Sequence, residues 1–241
     1  MRLMSGLLFI LFISGNVLAQ YASREGVRTF NHFLEDAARS EDFYLEGQFA
    51  FADYDYANVV NLGAQGGYPI SERFEIGGDW RFVNINPEVV DGSSGMSDLT
   101  AVGKYFLPYG DNIFATGGFL TLPVGSEEIG AGNFNLGFFG TGRFPVTPNM
   151  VISANATLGF YERGNGRDAS LGLAGSLIFA ANAKTHLLGE LNFETEGNFA
   201  QLLGGVDHKL TPTGHLRAAL GIGLDNGAPD IALLIGFLNF F

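Results

Sequence analysis

The chain carries four histidines, His32, His186, His208 and His215, and no cysteine. The histidines are the natural place to look for acid–base or nucleophilic chemistry, which needs a hydroxyl and an imidazole in hydrogen-bond reach with a third group orienting the base. No two of them fall at close spacing on one strand, so imidazole ligation of a metal is not indicated. Without cysteine there is no thiol nucleophile, thiolate metal site or disulfide. Asp91, Asp98, Glu127 and Glu128 are hard-cation ligands by type, but on loops such carboxylates are ordinarily solvated. The glycine-rich run 137–142 has no helix pattern after it to make a phosphate loop. No catalytic residue, metal or cofactor is expected. A different set stands out: Glu46, Glu75, Asp79, Arg81, Lys104, Arg143, Glu190 and Arg217, single charges of both signs inside otherwise apolar stretches.

Those stretches are strands. Phe74, Ile76, Gly78, Trp80 and Phe82 alternate with Glu75, Gly77, Asp79 and Arg81, the two-residue period of an extended chain. Phe43, Leu45, Gly47, Phe49 and Phe51 likewise oppose Tyr44, Glu46 and Gln48. About twelve such segments follow one another: 43–51, 57–68, 74–82, 99–107, 113–122, 134–144, 150–161, 171–180, 185–193, 199–210, 216–224 and 230–241. Each is near the 9–11 residues that a tilted membrane strand needs. The last puts Ile231, Leu233, Ile235, Phe237 and Phe241 on one face.

Composition agrees with strands in lipid. There are 35 glycines and 23 phenylalanines in 241 residues, and only 16% of residues are charged. Met1-Arg2, the apolar run 7–13 and the small residues before Gln20 predict a signal peptide over 1–19, too short to span a bilayer. A soluble sandwich or lipocalin-like barrel would also alternate, but it needs a polar exterior, and these polar faces are glycine- and serine-rich beside aromatic stripes. In lipid every backbone polar group must be paired, so strands must close into a barrel. The apolar faces then look outward and the eight charged residues line the lumen, since Arg or Lys facing lipid at the midplane costs about 2–4 kcal/mol. The net charge of −12 argues against nucleic acid.

The connectors alternate too. One set is 54–56, 86–95, 124–132, 162–168, 194–198 and 225–229, variable and acidic in places. The other is 69–73, 108–111, 145–149, 181–184 and 211–214, short and opening on Pro69, Pro108 and Pro145. Short periplasmic turns, longer outer loops and an even strand number are the pattern of outer-membrane barrels. Residues 20–42 differ: Val27, Phe30, Phe33, Leu34, Ala37 and Ala38 recur at helical spacing, so a short helix or an irregular segment is expected there, in the lumen or at its periplasmic mouth.

Gly95-Met96-Ser97-Asp98-Leu99 through Gly103-Lys104-Tyr105, and Leu120-Thr121-Leu122-Pro123-Val124-Gly125, resemble strand motifs of the outer-membrane family named for the MetA pathway of phenol degradation. Val124 stands where that family usually has Thr. The resemblance implies an outer-membrane transporter, with hydrophobic or aromatic compounds as candidate solutes. The C-terminal pattern ending at Phe241 resembles the signature through which the barrel-assembly machinery takes up such proteins. The expectation is thus an all-β, closed antiparallel transmembrane β-barrel over 43–241, set among outer-membrane lipids and passing small molecules passively. A closed structural or adhesive barrel, and a lipid-cleaving barrel enzyme, are the alternatives; no histidine–serine–asparagine cluster falls at an outer rim to favour the latter.

Overall fold

The computed structural model describes residues 26–163 and 166–241; the expected signal peptide lies outside them. The strands are β1 (Tyr44–Tyr54), β2 (Ala57–Ser71), β3 (Phe74–Pro87), β4 (Ser93–Met96), β5 (Leu99–Tyr109), β6 (Asn112–Leu122), β7 (Asn135–Thr147), β8 (Met150–Arg163), β9 (Gly166–Asn182), β10 (Thr185–Glu194), β11 (Phe199–Lys209), β12 (Gly214–Gly223) and β13 (Ile231–Phe240). Long strands pair antiparallel with their neighbours all the way round, and β1 pairs β13 from Tyr44↔Phe240 to Asp53↔Ile231, which closes the barrel. The short β4 is extra: it runs along the edge of β3 beyond the point where β5 leaves it. Twelve strands therefore form the wall, and none keeps a free edge to lipid.

Period two sets the two surfaces. Leu45, Leu62, Trp80, Phe138, Leu173, Leu220 and Phe237 all point away from the interior and stay exposed. A soluble monomer seldom exposes an apolar patch beyond a few hundred Å²; a belt carried by every strand needs acyl chains. The opposite faces depart from expectation. They are not uniformly polar: Val151, Ile178, Leu188 and Leu203 are buried inside, as are Val102, Phe139 and Leu238.

The reason is residues 26–42, which fill the interior. Val27, Phe30, Phe33, Leu34, Ala37 and Ala38 are all buried; the first four pack against those inward apolar side chains, and Ala37 packs against Phe106 and Ala115. Their helical spacing marks burial but not a helix. A single turn forms, with Asp36 N donating to His32 O at 2.8 Å. Elsewhere in the segment barrel side chains satisfy the backbone, as described below, so a helix is not needed to do it.

The prolines also sit differently from expectation. Pro69, Pro108 and Pro145 lie inside β2, β5 and β7, not in the connectors, and the turns shrink to residues 72–73, 110–111 and 148–149. The ladder shifts register between Pro69 and Ser71 and between Pro145 and Thr147. A residue without an N–H is tolerated at such irregularities near a strand end. On the other rim, β8 and β9 are longer than a membrane strand requires. The 17 residues of β9 would extend about 56 Å at about 3.3 Å per residue, so this hairpin stands beyond the bilayer.

Candidate functional site: a stopper held by lumen charges

Alternation on β1, β3, β5, β7, β10 and β12 turns Glu46, Glu75, Lys104, Arg143, Glu190 and Arg217 inward, where each is buried. Five of the six meet residues 26–42 directly. Arg143 grips Asp36 with both arms, Nε to Oδ1 at 2.7 Å and Nη2 to Oδ2, and its Nη2 also donates to Val27 O. Asp36 accepts from Thr29 N (2.9 Å) and Ala38 N (3.2 Å) as well. Burial alone would raise the Asp36 carboxyl, but Arg143 and these donors bring it down to about 2.

Glu75 gathers three partners: Arg28 Nη2 at 3.2 Å, Lys104 Nζ at 3.0 Å and the Tyr44 hydroxyl at 2.6 Å. The Arg28 guanidinium lies 3.9 Å from the centre of the Tyr44 ring. Lys104 Nζ donates to Leu34 O (2.9 Å) and Asp36 O (2.7 Å). Glu190 accepts from Phe30 N at 2.6 Å and Asn31 N at 3.3 Å. Arg217 Nη2 donates to Arg28 O and to Thr29 O at 3.1 Å, and its guanidinium lies over Phe30, 4.4 Å from the ring centre.

Glu46 takes both contacts from Arg217 Nη1, at 3.0 and 2.9 Å, and one from Gln65 Nε2 at 2.8 Å. The two partners come from β1 and β12, with β13 between them. Gly236 of β13 stands opposite Gln48 on one side and Arg217 on the other, and a Cβ there would overlap the Glu46 carboxylate. Behind Arg217, Asp207 Oδ2 lies 3.2 Å from its Nε without hydrogen-bond alignment, and Asp207 Oδ1 is 2.6 Å from His215 Nδ1. That histidine–carboxylate pair belongs to the ionic interior and not to an outer rim. Asp79 and Arg81 stand apart, paired with each other at 2.9 Å and more exposed.

Sequence reading missed Arg28, Asp36, Asp207 and Tyr44 as members of the cluster. Parity on the strands could have found Tyr44 and Asp207; nothing in the spacing of residues 26–42 pointed to Asp36. The seat also depends on missing side-chain volume. The Phe30 ring occupies the space where Gly205 would carry a Cβ. Overpacking of this kind costs about 1–3 kcal/mol. Gly205→Leu is therefore expected to speed tryptic cleavage after Arg28 about tenfold, seen as N-terminal shortening of the detergent-folded protein. Equal rates in variant and parent would show that Phe30 does not anchor the segment.

The segment leaves space on both sides. Toward the short turns a 620 Å³ cavity is lined by residues including Arg39, Asp42, Lys209, His215 and Phe240. Toward the long loops a 220 Å³ cavity is lined by residues including His32, Glu35, Tyr161, Asn192 and Glu194. On the loop side, Asp98 clamps the 123–134 connector, accepting from Gly125 N at 2.9 Å and Ala131 N at 2.8 Å. Its carboxylate is thus engaged as a loop brace. Among the described residues no group of three or more His, Asp or Glu is arranged to hold a metal.

The crystal structure of the COG4313 outer membrane channel from Pseudomonas putida F1 superposes with a TM-score of 0.71 at 14% identity, covering 89% of this chain and 100% of that one. KdgM porin, solved in complex with disordered oligogalacturonate, gives 0.63 at 12% identity, over 82% of this chain and 99% of its own. NanC porin gives 0.59 at 10% identity over the same shares. At these identities the likeness is one of fold, that of an outer-membrane β-barrel. No curated protein matches the chain. The two motifs singled out in the sequence, joined here by the contact of Asp98 with Gly125, fall inside a family match that spans residues 68–240, so the chain belongs to the family described as "Putative MetA-pathway of phenol degradation".

Proposed function

We propose that the protein is an outer-membrane channel for passive passage of small molecules, with residues 26–42 as a displaceable stopper. One observation carries this reading: a segment that forms no strand of the wall separates two cavities, of 620 and 220 Å³, and is gripped by lumen side chains. A twelve-stranded barrel is wider than the eight-stranded ones that side chains fill, and narrower than open sixteen-stranded porins. Shared architecture with a solved outer-membrane channel and two porins supports the same reading. Glu46, Glu75, Asp79, Arg81, Lys104, Arg143, Glu190 and Arg217 then line the route once the segment moves. The family's description suggests aromatic solutes, and the rings of Phe119 and Tyr161 at the outer cavity suit a compact ring or alkyl body.

In planar bilayers the parent should show small, rare openings, and deletion of 26–42 should raise unit conductance roughly tenfold, toward that of an unobstructed twelve-stranded lumen. Gly205→Leu, which keeps every charge, should raise the frequency of opening. The density of ion pairs around the segment favours a second reading, a closed structural or adhesive barrel. Absence of current from both variants, with folding shown by heat-modifiable gel migration, would establish that reading instead.

A further inference from the structure

The outer cavity has a chemistry of its own. Asn192, on the inward face of β10, is 2% exposed and lines it, yet neither its amide oxygen nor its amide nitrogen has a partner. Its rung neighbours supply none: Ala174 has no polar side-chain atom, and Gln201 accepts from Asn31 Nδ2 at 2.9 Å. A buried amide left this way is unfavourable until something arrives to bond it.

The charges around it have one sign in excess. Glu35 and Glu194 both line the cavity, and among the described lining residues there is no Lys or Arg. His32 Nδ1 sits 3.0 Å from Glu35 Oε2, which also accepts from Thr157 Oγ1 at 2.9 Å. Glu194 Oε1 takes its hydrogen bond from a neutral donor, Ser170 Oγ, at 3.2 Å. Phe119 and Tyr161 add ring faces of the kind that attract a cation. At about 30 Å³ per water-sized group, 220 Å³ holds roughly seven such groups.

From the unpartnered amide, the unbalanced carboxylate and the rings together, we propose that this cavity binds a small organic cation, a protonated amine on a ring or short alkyl body. The ammonium meets Glu194 and Asn192 Oδ1, and the body lies against Phe119 and Tyr161. An anion of the same size is repelled by Glu194, the lining carboxylate with no charged partner beside it, in a partly dehydrated space. The assignment deepens the channel reading and rests on it, but equilibrium binding and conductance are separate measurements.

Three probes of similar shape and different charge test it: cyclohexylamine, cyclohexanol and cyclohexanecarboxylate, titrated calorimetrically at neutral pH into the detergent-folded full-length mature chain, with empty micelles subtracted. Cyclohexylamine should bind about tenfold more tightly than cyclohexanol, a difference of about 1.4 kcal/mol, and the carboxylate should give no binding heat. Glu194→Gln should erase the preference for the amine, and Asn192→Leu should weaken amine and alcohol alike. Glu128→Gln, on a loop away from the cavity, is the control that should change nothing. If Asn192→Leu fails to fold, Glu194→Gln alone decides. Equal affinity for amine and alcohol, tighter binding of the carboxylate, or an amine preference that survives Glu194→Gln overturns the assignment. Amine binding without current in any variant removes the channel and keeps the site; current without amine binding does the reverse.

Discussion

Asp36→Ala should release the N-terminal segment and cost the folded protein about 3–5 kcal/mol, because it leaves the Arg143 guanidinium buried with no counter-charge. Arg143 is 1% exposed, and it also donates to Val27 O on the same segment. Losing the carboxylate also strips acceptors from Thr29 N and Ala38 N. Urea titration of the folded chain, followed by the fluorescence of Trp80, the only tryptophan, reads the midpoint. Trypsin access to Arg28 reads the segment itself. An unchanged midpoint with Arg28 still protected would show that the ion pair is dispensable. Acid should do more gently what the substitution does. Asp36 lies on the lumen segment and on no strand, and its folded value of about 2 is below the ordinary 3.8. A depressed carboxyl contributes stability in full above the unfolded value and loses it as pH falls through the folded one. The linked contribution, about 2 kcal/mol for a shift of nearly two units, should therefore persist to about pH 4 and fade between about pH 4 and 2.

Arg217→Met should have the second large effect, again about 3–5 kcal/mol, because three structures meet at that guanidinium. It neutralises Glu46, lies beside Asp207, and donates to Arg28 O and Thr29 O. Removing it strands the Glu46 carboxylate and two carbonyls at once, and leaves Asp207 with His215 alone. A paired change, Glu46→Leu with Arg217→Met, should recover part of the loss, since replacing both members of a buried pair with apolar groups is often tolerated. It should still leave the segment loosened, because the carbonyls of Arg28 and Thr29 keep no donor. Heat-modifiable gel migration measures the first effect and tryptic access to Arg28 the second. If the pair of substitutions is no better than Arg217→Met alone, Glu46 is not the partner that matters.

Strand content, closure and the inward direction of Glu46, Glu75, Lys104, Arg143, Glu190 and Arg217 were legible in sequence because period two is a local property that each strand repeats. The Asp98 motif was legible too, though its job of bracing the 123–134 connector was not. What escaped depends on non-local bonding. Helical spacing in 26–42 recorded which side chains are buried, while the backbone found acceptors and donors on four different strands, β5, β7, β10 and β12. Ile178, Leu188 and Leu203 read as ordinary apolar residues; that they face inward follows only once an apolar segment is there to meet them. Pro69, Pro108 and Pro145 looked like turn residues because proline ends most strands; here irregular rungs absorb Pro69 and Pro145, and Pro108 sits near the end of β5, past its ladder with β3.

The contact from Glu46 to Arg217 across Gly236 gives the closing step of barrel assembly a built-in test of alignment. β13 must slide between β1 and β12 with its one bare position beneath the ion pair. A slip by one residue turns Ile235 or Phe237 into the gap, and a slip by two brings Leu234 or Leu238 there. Any of these would wedge the two charges apart inside the wall. A misaligned closure is therefore penalised electrostatically, through the separation of Glu46 from Arg217.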